Sequence, residues 1–60
     1  MTDEHLGRRI ATLREEQGLS QSALARLMGS SQSAVSQIES GERNPSYDTI
    51  RQIARALQVT

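Results

Sequence analysis

The chain has 60 residues, which is enough for one small domain near the lower limit for folding without a crosslink or a metal. It has no cysteine and a single histidine, which excludes a disulfide framework and a zinc site built from these ligands. Seven arginines balance seven acidic side chains and lysine is absent, so binding of nucleic acid through a large positive net charge is excluded as well.

The first predicted helix covers about residues 3–17. Leu6, Ile10 and Leu13 recur at helical spacing and give this segment one apolar face. Gly18 follows directly, and glycine is the residue that most often ends a helix. We therefore expect one amphipathic helix at the start of the chain.

The second predicted helix covers residues 21–28 and begins behind Ser20, whose side chain can cap it. We expect Leu24, Leu27 and Met28 to form its buried stripe. A glycine follows the last of these residues, which predicts a tight turn into the next helix.

The third and fourth predicted helices cover residues 32–40 and 47–57 and begin behind Ser31 and Ser46. The fourth helix carries its apolar side chains on one face: Ile50, Ile53, Ala54 and Leu57. No segment has the alternation of apolar and polar residues that is typical of strands. The sequence predicts an all-α, compact four-helix bundle, with residues 1–60 forming a single domain.

The third helix has two chemically different faces. Ala34, Val35 and Ile38 fall within one arc of about 100°. The opposite arc is polar and uncharged, and it carries Gln32, Ser33, Ser36 and Gln37. Amides and hydroxyls match the donors and acceptors of base edges in the major groove. Residues 19–38 therefore indicate a helix-turn-helix that reads DNA.

Four short motifs occur in order: Gly-Leu-Ser-Gln at 18–21, Ala-Arg-Leu-Met-Gly at 25–29, Ser-x-Ile-Glu-x-Gly at 36–41 and Asn-Pro-Ser at 44–46. With this order and spacing the chain resembles the phage-repressor (Cro/repressor, XRE) helix-turn-helix family from about Leu6 to Val59. The resemblance implies a lambda-repressor-like bundle and a transcriptional regulator, most often a repressor. It also implies that a homodimer binds double-stranded DNA.

The resemblance assigns site residues position by position. Gln21 would hydrogen-bond a backbone phosphate and support Gln32, and both lie at helix N-termini, where free N–H groups and the helix dipole favour phosphate. The base-reading side chains would be Gln32, Ser33, Ser36 and Gln37. The DNA-backbone contacts would be Gln21, Ser31, Arg43 and Asn44.

The resemblance also pairs Glu39 with Arg14 as a partly buried, structural ion pair. This pair would join the third helix to the first and would bring Arg14 close to a phosphate. Losing one partner of such a pair can cost about 3–5 kcal/mol of stability.

The family usually continues into a fifth helix, which is absent from this chain. We expect either the N-terminal domain of a longer regulator with an effector region, or a minimal protein that dimerises through its fourth helix. In the second case the contact residues would be Ile53, Leu57 and Val59.

The function could also belong to another class, a protein-interaction module on the same fold, either antitoxin-like with a toxin-like partner or coactivator-like. Enzymatic activity is not expected, because the chain has no nucleophile–base constellation and no metal-ligand spacing. We expect no cofactor and no metal. With no apolar run of membrane-spanning length and no signal peptide, we expect a cytoplasmic protein.

Overall fold

Four helices make up the computed structural model, which describes the backbone of residues 3–58 and the side chains of residues 5–58. In chain order they are α1 (Asp3–Glu16), α2 (Gln21–Met28), α3 (Gln32–Ser40) and α4 (Tyr47–Leu57). The described residues contain no strand, and the predicted all-α four-helix bundle is confirmed.

Three serines fix where α2, α3 and α4 begin. The hydroxyl oxygen of each accepts a hydrogen bond from the backbone N–H three residues later, at 3.0 Å for Ser20, 3.1 Å for Ser31 and 3.2 Å for Ser46. Each serine has an extended backbone, as an N-cap requires. A cap of this kind is worth about 1 kcal/mol, so the starts of these helices are encoded locally.

A left-handed glycine turns the chain from α2 into α3. Gly29 has φ 71°, and its N–H and that of Ser30 donate to the carbonyls of Arg26 and Ala25 at 3.2 Å and 2.8 Å. These bonds satisfy carbonyls that the helix end would leave unpaired. The turn is therefore short. α3 begins three residues after Gly29 and lies next to α2.

The core is built from apolar side chains of all four helices. The buried members are Ile10, Leu24, Ala25, Met28, Val35, Ile38, Ile53 and Leu57. Leu24, Val35 and Leu57 are the most completely enclosed. The apolar face of α3 therefore packs against the centre of the domain.

The predicted buried stripe of α2 was wrong at one position. Leu27 is 60% exposed, whereas Ala25 is buried at 3%. At about 100° per residue, Met28 lies between Leu24 and Ala25, and Leu27 lies outside that arc. α2 is therefore rotated so that Ala25, a small residue, faces the neighbouring helices. On α4, Ile50 also departs from the predicted apolar face, because it is 39% exposed.

Two of the three dimer contacts expected at the end of the chain were also wrong. Ile53 and Leu57 are only 5% and 1% exposed, so they belong to the core of the protomer and are not available to a second chain. Val59, the third expected contact, lies outside the described residues.

Gly7 brings α1 into direct contact with the backbone of α3. A Cβ at this position would lie 2.5 Å from the carbonyl oxygen of Glu39 and would also meet that of Ile38. A side chain at position 7 would occupy the space between the two backbones. Glycine therefore allows α1 and α3 to approach as closely as they do.

Candidate nucleic-acid interface

The N-termini of α2 and α3 lie side by side. Gln32 Nε2 donates a hydrogen bond to Gln21 Oε1 over 2.7 Å, and these are the first residues of the two helices. The backbone N–H groups at the start of a helix have no intrahelical acceptor, and the helix dipole adds partial positive charge there. This edge of the domain is therefore suited to an anionic group such as a phosphate.

The four predicted base-reading side chains lie on the side of α3 that faces away from the core. Gln32 and Ser33 are exposed, and Ser36 and Gln37 are half-buried. The opposite side of the helix carries Val35, which is 2% exposed. Of these four side chains, the two in the first turn of α3 are therefore the more accessible to solvent.

The predicted DNA-backbone residues lie at both ends of α3. Ser31 caps its start, and Arg43 is tied to its end because the Arg43 N–H donates to the Gln37 carbonyl over 3.1 Å. The side chains of Arg43 and Asn44 are exposed, as is the acidic Glu42 beside them. The structure therefore places neutral polar groups at one end of α3 and both signs of charge at the other.

Arg14 and Glu39 form a bidentate ion pair between α1 and α3. Arg14 Nε donates to Glu39 Oε2 over 2.7 Å and Nη2 donates to Glu39 Oε1 over 3.2 Å. Nη1 donates to the carbonyl of Leu19 over 2.7 Å. The side chains are only 11% and 7% exposed, so the pair is shielded from water.

This pair keeps Arg14 charged and inside the protein. Hydrogen bonding to Glu39 raises the pKa of Arg14, although burial acts in the opposite direction. Three of the five guanidinium N–H groups of Arg14 donate to Glu39 and to the carbonyl of Leu19. The expected approach of Arg14 to a phosphate stays a prediction.

Gln21 links the ion pair to the first residue of α3. Its Nε2 donates to Glu39 Oε1 over 2.9 Å, while its Oε1 accepts from Gln32. The result is a continuous hydrogen-bonded chain from Arg14 through Glu39 and Gln21 to Gln32. Within the described part of the protein, no buried side-chain nitrogen or oxygen lacks a partner.

The bond between Gln21 and Glu39 was not predicted from the sequence. A usable signal was present, because Glu39 follows Gln32 by seven residues and so lies on the same side of α3 two turns later. A long polar side chain from α2 can reach both of them.

Two other kinds of site are absent from the described residues, a metal centre and a membrane-spanning helix. Residues 5–58 contain no group of histidine, cysteine, aspartate and glutamate side chains that could hold a metal ion. None of the helices in the described residues is long and apolar enough to cross a membrane.

Comparison with known sequences places the chain in a family. The profile of the helix-turn-helix family matches residues 10–60. The HTH-type transcriptional regulator PuuR of Escherichia coli (strain K12) is 39% identical over 57 residues, which cover 92% of this chain but only 31% of PuuR. The uncharacterized HTH-type transcriptional regulator y4dJ of Sinorhizobium fredii is 40% identical over 55 residues, covering 92% of this chain and 71% of y4dJ.

Solved structures agree with this placement. The restriction-modification controller protein C.AhdI of Aeromonas hydrophila is 40% identical, with a TM-score of 0.95 over 97% of this chain and 88% of C.AhdI. The P22 c2 repressor, solved in complex with a synthetic operator, is 33% identical, with a TM-score of 0.84 over 90% of this chain and 82% of the repressor chain. The chain therefore belongs to the phage-repressor-type (XRE) helix-turn-helix family, the non-enzymatic DNA-binding domains of transcriptional regulators.

Proposed function

We propose that this domain binds double-stranded DNA in a sequence-specific manner, with α3 in the major groove, and that it acts as a transcriptional repressor. The observation that carries the proposal is the exposed first turn of α3, where Gln32 is held by the 2.7 Å hydrogen bond that it donates to Gln21 of α2. A polar side chain whose orientation is fixed before binding loses less entropy when it meets a base.

In the proposed complex, the polar face of α3 reads base edges. Gln32 binds an adenine through its amide, and a good bidentate pair of this type contributes about 1–3 kcal/mol of discrimination. Ser33, Ser36 and Gln37 contact the following base pairs. Gln32 is exposed, whereas Ser36 and Gln37 are half-buried, and this difference supports a leading role for Gln32.

Contacts to the sugar–phosphate backbone set the position of α3 on the duplex. We assign them to Gln21 and Ser31 at the paired helix N-termini, and to Arg43 and Asn44 in the loop after α3. Only Arg43 among these four residues carries a charge, so specific contacts rather than net charge would determine where the domain binds.

A single copy of α3 can read only a few base pairs, because nine residues span about 13 Å of helix. We therefore propose that two copies bind a palindromic operator, with half-sites about 34–36 Å apart. Repression would follow from occupation of a promoter in the cytoplasm. Nothing in the relatives named above favours the antitoxin-like or coactivator-like alternative.

The test is selection of bound sites from a random pool of duplex DNA, with the domain and with its Gln32→Ala/Gln37→Ala variant. We expect a palindromic motif from the unmodified domain, and loss of base preference at the positions read by these side chains in the variant. Loss of one bidentate contact should reduce the preference by about 1–3 kcal/mol.

Gln52→Ala is the matched control, because Gln52 is an exposed glutamine on α4, outside the proposed interface. It should return the same motif as the unmodified domain. If the folded domain enriches no motif, or if the double variant and the control return the same motif, the proposed readout by α3 is wrong.

A further inference from the structure

We propose that Glu39, which is itself shielded from solvent, determines which base Gln32 prefers. Through Gln21, the carboxylate fixes the orientation of the Gln32 amide so that it selects adenine over guanine. The DNA part of this inference rests on the proposed function, whereas the orientation of the two amides is a property of the free protein.

The first step is the orientation of the Gln21 amide. A carboxylate only accepts hydrogen bonds, so the group of Gln21 that faces Glu39 Oε1 at 2.9 Å must be the NH₂. Arg14 donates to both oxygens of Glu39 and holds the carboxylate in place. Turning the Gln21 amide over would place its carbonyl oxygen against a negative charge in a water-poor site.

The second step passes this orientation to Gln32. With its NH₂ directed to Glu39, Gln21 offers its Oε1 to Gln32, and a carbonyl oxygen only accepts. Gln32 must therefore donate from Nε2, as the 2.7 Å contact has it. Gln32 is left with one N–H and its carbonyl oxygen for any further partner.

The third step is the match to a base. In the major groove adenine presents the N7 acceptor and the N6 donor, whereas guanine presents two acceptors, N7 and O6. One N–H together with one carbonyl oxygen fits adenine, and the carbonyl would face O6 of guanine without a proton between them. If both amides were reversed, Gln32 would present both N–H groups and would suit guanine.

The structure thus makes Glu39 a positioning residue for specificity, although it contacts no DNA in this proposal. A purely structural role would predict something different. Loosening the contact between α1 and α3 would weaken binding to all operators alike, whereas loss of amide orientation changes the ratio of affinities for adenine and guanine at one position.

The free protein provides the first test, by NMR of the side-chain NH₂ groups of Gln21 and Gln32 in the unmodified domain and in Glu39→Gln. In the unmodified domain we expect one Gln21 NH₂ proton shifted downfield and slowed in exchange by the bond to the carboxylate. In Glu39→Gln we expect both effects to disappear. Unchanged Gln21 signals in a folded Glu39→Gln domain would overturn the inference.

The second test measures affinities for two operators that differ only at the position read by Gln32, which carries adenine or guanine. The unmodified domain should prefer adenine by about tenfold or more, and Glu39→Gln should bring the two affinities to within about threefold of each other. Glu42→Gln is the control, because it removes an exposed carboxylate of the same charge and should keep the full preference.

A second variant tests the inference even if Glu39→Gln does not fold. Arg14→Met/Glu39→Met replaces the buried pair by apolar side chains of similar length, a change that often preserves stability. Gln21 then has no anchor, and the adenine preference should again be lost. Retention of the tenfold preference in either folded variant would overturn the inference. If the unmodified domain distinguishes no operator at all, the proposed function fails instead, and the NMR result alone decides whether Glu39 orients Gln21.

Discussion

At the scale of single residues, two glutamates three positions apart have opposite environments. The Glu39 side chain is 7% exposed and accepts hydrogen bonds from Arg14 and Gln21. Glu42 is exposed in the loop after α3. The same chemical group is therefore part of the interior in one case and solvated in the other, which makes the two residues a natural pair for comparison.

We expect Glu39→Ala to destabilise the domain by about 3–5 kcal/mol, because it leaves the Arg14 guanidinium buried without its carboxylate. A domain of this size has a total stability of only about 3–9 kcal/mol, so much of the variant should be unfolded at 37 °C. Glu42→Ala should change stability by less than about 0.5 kcal/mol. Urea unfolding at low temperature measures both, and equal midpoints for the two variants would contradict the assignment of Glu39 to the core.

The residue contacts could be predicted only in part. Periodicity in the sequence identifies the face of a helix on which a residue lies, but it does not identify the partner on another helix. The pairing of Arg14 with Glu39, and of Gln21 with Gln32, came from the resemblance to the phage-repressor family. The bond between Gln21 and Glu39 joins these two pairs, and neither pattern nor resemblance supplied it.

At the scale of secondary structure, the starts of the helices could be predicted from the sequence, whereas the rotation of a helix against its neighbours could not. The caps at Ser20, Ser31 and Ser46 act within three residues, so the starts of the helices can be read from the sequence. The rotation of α2 depends on α3 and α4. For that reason the sequence pattern included Leu27 in the buried stripe and missed Ala25.

Gly7 tests how closely α1 and α3 approach. Helix propensity alone predicts that Gly7→Ala stabilises α1 by about 1 kcal/mol. The added Cβ, however, would lie 2.5 Å from the Glu39 carbonyl oxygen, and backbone cannot move aside as a flexible side chain can. Since overpacking typically costs about 1–3 kcal/mol, we expect net destabilisation, measured by chemical unfolding.

Gly18→Ala is the comparison for this variant. A Cβ at Gly18 meets no atom within 4 Å, although its φ of 72° strains an alanine, so this change should cost about 1 kcal/mol through the backbone alone. Only Gly7→Ala should also displace α3 and alter the NMR signals of Gln32. Stabilisation by Gly7→Ala would mean that α1 and α3 can move apart without lowering the free energy of unfolding.

At the scale of the whole molecule, charge balance limits how the domain can hold DNA. The chain has formal net charge zero, and the proposed base-reading residues are uncharged. Neutralisation of phosphates by cations drives non-specific binding and makes it depend on salt. With Arg43 as the only cation among the proposed DNA contacts, affinity for random DNA should be low and the preference for the operator should come mainly from hydrogen bonds.

The dependence of operator affinity on salt measures this balance. The logarithm of the binding constant falls with the logarithm of salt concentration by about 0.9 for each phosphate that a cation neutralises. Arg43→Ala should therefore flatten the slope by about 0.9 per protomer, or about 1.8 for a dimer on a palindromic site. Arg55→Ala removes the same charge from the exposed face of α4, away from the proposed contacts, and should leave the slope unchanged. Equal flattening of the slope by both variants would mean that the total charge of the domain governs binding. A localised contact predicts instead that removing Arg43 changes the slope and removing Arg55 does not.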